Sequence, residues 1–136
     1  MKALILYYSY TGNARKFAEA SAKKDNFDIA EIKSAKRPGK FKAYTLGCFA
    51  TLSGKSWPIQ PLEKDMTAYD SLVLFTPVWA SNPPPFVNAV LEQLPAGKTI
   101  AVKMVSASGK SNCKEKLEAK IKAKGSEMES FEDIKS

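Results

Sequence analysis

Two runs that are apolar at every position, Ala3-Leu4-Ile5-Leu6-Tyr7-Tyr8 and Leu72-Val73-Leu74-Phe75, constrain this chain most. A strand with one wet face alternates apolar and polar residues. A run without alternation has both faces buried, as in a parallel sheet covered by helices. Helical patterns stand between such runs. Ala14, Phe17, Ala18 and Ala22 share one face, as do Phe41, Tyr44, Cys48, Phe49 and Leu52. Phe86, Val87, Val90, Leu91 and Leu94 form a third stripe, with prolines 83 to 85 at its start, where a missing N–H is tolerated. Cys113, Leu117 and Ile121 form a fourth. Phe27 to Ile32 alternates like an exposed edge strand, and Thr99 to Val105 reads as another strand. The order is therefore β-α-β-α-β-α-β-α, with a tail from Glu127 to Ser136 that has room for one more strand. This alternation predicts an α/β fold, a doubly wound parallel sheet forming a single domain over residues 1–136.

Composition closes other routes. The chain has 136 residues, 44% of them apolar and 26% charged, enough for one packed core and far from the balance of a disordered chain. The longest apolar runs are about eight residues, too short for a membrane span. No signal-peptide layout precedes the first strand. Cys48 and Cys113 make no disulfide framework and read as reduced thiols, so a cytoplasmic location is expected. The absence of His removes Ser-His and Cys-His catalysis and, with only two Cys, leaves no zinc set.

In a sheet of this kind a ligand sits beyond the carboxyl ends of the strands, at the switch point between the first and third. The first loop there reads Ser9-Tyr10-Thr11-Gly12-Asn13-Ala14. Its hydroxyls and backbone N–H groups can donate to a phosphate, the glycine permits close approach, and the helix that follows favours negative charge. The same residues also suit an ordinary helix cap. The loop after the third strand, Thr76-Pro77-Val78-Trp79-Ala80-Ser81-Asn82, carries a Trp where it can cover a flat aromatic ligand. It is stiffened by Pro77 and by the prolines beyond it. The alternative is a Trp79 folded back as a hydrophobic plug.

Together these loops resemble those of the flavodoxin-like FMN proteins over almost the whole chain. The resemblance implies strand order 2-1-3-4-5 and non-covalent FMN. Its phosphate would be held by Ser9, Thr11, Gly12 and Asn13 with the backbone of Tyr10 and Ala14. Its ring would be lined by Pro77, Val78, Trp79 and Ala80, with Ser106, Ala107, Ser108 and Gly109 on the other side. It implies electron transfer in which the flavin does the chemistry and the protein sets its access. A small FMN-dependent reductase taking hydride from NAD(P)H, or a flavodoxin-like binding module without flavin, are the competing readings. Three features depart from the family. Ala14 replaces a common hydroxyl, the tail leaves no room for both a fifth strand and its usual C-terminal helix, and the net charge is +7. Shuttle flavodoxins are acidic, so the redox partner is not implied.

The positive excess gathers between Glu31 and Glu63, where no acidic residue occurs while Lys33, Lys36, Arg37, Lys40, Lys42 and Lys55 do. It suits a solvated surface, a phosphorylated ligand or an acidic partner; nucleic acid is not the expected one. A P-loop fails because Phe49 stands where the first glycine of a motif ending Gly54-Lys55-Ser56 belongs. A Cys-dependent phosphatase fails because both thiols fall in helical stripes. A receiver domain fails because no acidic cluster ends the strands. A final expectation concerns the sheet face that lacks its usual last helix. Lys103 on the fourth strand needs a thinly covered face and an outlet to water. Either the tail around Phe131 and Ile134, folded over that gap, or a second copy of the chain would then shield Ile5 and Leu6, so a homodimer is an expectation.

Overall fold

A computed structural model describes residues 3–8, 12–33, 59–78 and 83–135. Five parallel strands form one sheet in the order β2-β1-β3-β4-β5: β1 Ala3–Tyr7, β2 Asp28–Glu31, β3 Ser71–Pro77, β4 Thr99–Ser106 and β5 Glu127–Lys135. The described helices are α1 Asn13–Asp25, α2 Pro85–Glu92 and α3 Lys114–Ala123, besides a 3-10 turn at Met66–Ala68. The second sequence-predicted helix, with Cys48, and the Gly54-Lys55-Ser56 segment lie outside the described residues. No described helix is long and apolar enough to cross a membrane.

The strand pleat divides the core in two. Leu4, Leu6, Leu72, Leu74, Ile100, Val102 and Met104 face one side and meet Phe86, Val87, Val90 and Leu91 of α2 and Leu117 and Ile121 of α3. Ile5, Tyr7, Phe75 and Val105 face the other, where Ala14 and Ala18 of α1 pack. Burying a Leu or Ile side chain contributes about 1.5–3 kcal/mol, so the doubly apolar runs are the main stabilising elements. Helix α2 is buried from Pro85 to Leu91, which matches its nearly uniform apolar sequence. Its start has Pro84 as cap and Pro85 in the first turn, and the Val87 N–H donates to Pro84 O at 2.9 Å.

The tail corrects one sequence expectation. Residues 127–135 do not cross the sheet; they join its edge as β5, with one register irregularity against β4 at Ile100/Ala101. Phe131 packs on the α2–α3 side and Ile134 on the α1 side. Ile5 and Leu6 are 0% and 1% exposed within a single chain, so neither a folded-over tail nor a second copy is required to shield them. The reason is lateral placement. Among the described residues helix α1 lies over β1, β2 and β3, and its main contacts do not extend to the area over β4 and β5. That area is polar: Lys103, a quarter exposed, reaches Glu132 at 3.8 Å, and Ser130 beside them is exposed. The lysine stem snorkels there as its sequence position requires.

Candidate functional site

Parallel pairing brings the carboxyl ends of β1, β3 and β4 to one edge, with Tyr7 beside Phe75 and Pro77 beside Val105. The Tyr8 N–H donates to Phe75 O at 3.2 Å just as β1 gives way to its loop. All three sequence-predicted loops leave from this edge. Ser9, Tyr10, Thr11, Trp79 and Ala80 lie outside the described residues.

Gly12 is the cap of α1, with φ 98° and ψ −10°. An L side chain is strained there, while glycine is not. Among the described residues a β-carbon there would meet nothing within 4 Å, so the demand for glycine is conformational. Asn13 opens the helix and is exposed, and the first turn of α1 holds no acidic residue. A first turn without an acidic side chain leaves the positive end of the helix dipole suited to an anion. Ala14 is 2% exposed, its methyl packed in the cluster of Ile5, Tyr7 and Phe75. This position serves the core, and only its backbone could serve a phosphate, a role that its place in the loop alone does not reveal. Arg15 pairs with Glu19 at 3.2 Å on the exposed flank of α1. Burial, and next Glu31, raise the Tyr7 phenol above its ordinary value, with Arg15 opposing.

Pro77 is the last residue of β3 rather than part of the loop, since a strand end does not need its missing N–H. Val78 follows, half-buried against the α2 side of the core. Thr76, fully buried, donates through Oγ1 to Pro77 O at 3.0 Å.

Ser106 ends β4, and Ala107, Ser108 and Gly109 form the turn beyond it. The Gly109 N–H donates to Ser106 Oγ at 3.0 Å, and the Lys110 N–H to Ser108 Oγ at 3.3 Å. Both hydroxyls thus hold the turn itself. Gly109 has φ 67°, and a β-carbon on it would lie 3.0 Å from that of Lys135, so conformation and close approach both require glycine. Ser111 Oγ donates to Asp133 Oδ1 at 2.6 Å and ties the start of α3 to the end of β5. No local pattern marks Ser111 and Asp133 as partners, because they stand on elements joined only by the tertiary fold. Cys113 caps α3, 2% exposed, and burial raises its thiol pKa, a Ser111 hydrogen bond acting in the opposite direction. It is placed as an inert core thiol.

Strand order, parallel register and this loop edge define a flavodoxin-like fold. A flavoprotein from Lactobacillus acidophilus NCFM, crystallised in complex with FMN, is similar at 24% identity and TM-score 0.76, over 96% of this chain and 91% of that one. Oxidised flavodoxin 2 from Bacillus cereus is similar at 19% identity and TM-score 0.58, over 99% and 84%. Two-electron reduced flavodoxin from Megasphaera elsdenii is similar at 15% identity and TM-score 0.56, over 97% and 87%. No protein-family model matches the sequence, and no curated protein does.

Proposed function

We propose that the protein binds FMN non-covalently and carries electrons with it. The observation that carries this reading is the start of α1. There a left-handed Gly12 opens a helix whose first turn holds no acidic residue, at the switch point of the sheet. These residues fit a phosphate monoester. Ser9, Thr11, Gly12 and Asn13, with the backbone of Tyr10 and Ala14, would hold it, and Pro77 to Ala80 with Ser106 to Gly109 would flank the ring. The FMN complex of the similar Lactobacillus flavoprotein supports the same ligand. Bound FMN supplies one- and two-electron chemistry. The chain's own work is to orient the ring and limit water around it. None of the fourteen site residues is a carboxylate, histidine or lysine, which suits electron carriage better than a reaction needing a protein acid or base.

Fluorescence titration of the apoprotein with FMN and with riboflavin tests this. FMN is expected to bind tighter, and Thr11→Val is expected to cost FMN about 1.5–3 kcal/mol, the figure for a hydrogen bond to a charged group, and riboflavin little. Equal losses would show that the loop does not read phosphate. An absence of flavin binding would return the chain to the binding-module reading. Steady-state NAD(P)H oxidation by the loaded protein would move it to the reductases.

A further inference from the structure

Three lysines from three different elements surround the turn after β4. Lys110 follows the turn, Lys114 opens α3, and Lys135 ends β5 in register with Ser106. The close approach of Lys135 to Gly109 and the Ser111–Asp133 hydrogen bond hold these elements together. All three side chains are exposed, and none enters an ion pair among the described residues. Lys33 and Lys103, by contrast, are engaged by Glu63 and Glu132. Acids stand among them: Asp133, which accepts from Ser111, Glu115 in the first turn of α3, and Glu118 four residues after Lys114. No ion pair among the described residues therefore accounts for their grouping.

An electron carrier must bring its cofactor edge close to a partner, and the charges around that edge select the partner by steering its approach. We propose that Lys110, Lys114 and Lys135 form the docking surface for an acidic protein that exchanges electrons with this one. The proposal rests on the FMN reading and supplies the chemistry of the partner. Neither the fold nor the overall charge specifies it, because only the tertiary structure places Lys135 beside the turn.

Two measurements test it. The first uses apoprotein, with the redox-inert paramagnetic anion hexacyanochromate(III) as probe. It should broaden the amide signals of Gly109 and Lys110, and polyglutamate should shift the same signals. A triple variant, Lys110→Gln, Lys114→Gln and Lys135→Gln, should abolish both effects. The second uses FMN-loaded protein reduced by dithionite and mixed with ferricyanide. Two ferricyanide ions each gain one electron as the flavin hydroquinone is reoxidised, and the protons on its N1 and N5 (N5 alone where the hydroquinone is anionic) go to water. The triple variant should slow this reaction about tenfold at low ionic strength, within the range of electrostatic steering. A control that removes three distant charges, Lys23→Gln, Lys24→Gln and Lys64→Gln, should slow it less than about twofold on the same scale, and benzoquinone should react equally with all three proteins. Equal slowing in both variants, or broadening elsewhere on the surface, overturns the proposal. So does binding of single-stranded oligothymidylate or anionic phosphatidylserine vesicles at these amides in place of polyglutamate. If the chain takes no FMN, the parent reading falls, while the apoprotein map still shows whether these lysines form an anion-docking surface.

Discussion

The rings of Tyr8 and Phe86 meet with centroids 4.9 Å apart and planes tilted by 38°. Tyr8 is the residue at which β1 enters its loop, and Phe86 lies in the first turn of α2, beyond the loop that follows β3. One aromatic contact thus anchors the bases of two loops that come from distant parts of the chain.

Phe86 is 1% exposed, so Phe86→Ala leaves a cavity between sheet and helix. The expected loss is about 3–5 kcal/mol in urea denaturation. A double-mutant cycle with Tyr8→Leu should return a coupling of about 0.5–1.5 kcal/mol, the usual value for an aromatic pair. No coupling would mean that the two loops are anchored independently.

Gly12→Ala meets no described residue but forces an L residue into a left-handed conformation. It is expected to cost about 1–2 kcal/mol of stability. If Gly12 shapes a phosphate site, the variant should also lose more affinity for FMN than for riboflavin. Full stability in Gly12→Ala would show that the turn relaxes without cost.

Trp79 lies outside the described residues, and its role is an expectation from its place in the chain. FMN should quench its fluorescence on binding. Trp79→Ala should weaken FMN by about 1–3 kcal/mol, the range for a lost aromatic stack. Unchanged affinity, measured by titration of flavin fluorescence, would make Trp79 a hydrophobic plug.

Cys113 supplies a prediction about pH. Burial raises its folded-state pKa, and the unfolded thiol titrates near its ordinary value of about 8.5. The folded chain therefore holds the proton more tightly than the unfolded one. Its contribution to stability is fully present below the ordinary thiol value and is lost as the pH climbs toward the raised one. Denaturation between pH 7 and 10 should show an alkaline decline that is smaller in Cys113→Ala. Alkylation by iodoacetamide at pH 8 should be slow until the protein unfolds; rapid labelling of folded protein would contradict the buried placement.

Most of the fold was legible before any coordinates. The unbroken apolar runs at 3–8 and 72–75 required two covered faces, and the segments between them carried helical spacing. A parallel sheet follows, and with the family resemblance so do the order 2-1-3-4-5 and the edge where the loops gather. These properties are local, because periodicity and turn chemistry depend on neighbours in the chain. Lys103 was legible in the same way, since a charge inside a strand must have an outlet to water.

Tertiary structure decided what depends on partners across the sheet. It placed Ala14 in the core, because the helix face that follows Gly12 turns that methyl toward Ile5 and Phe75. It laid the tail along β4 rather than over the sheet, because eight of the nine β5 residues pair with β4 while Phe131 and Ile134 each reach one side of the core. It joined Ser111 to Asp133 and brought Lys135 against Gly109. Those residues are more than twenty positions apart, and only the register of β4 with β5 makes them neighbours.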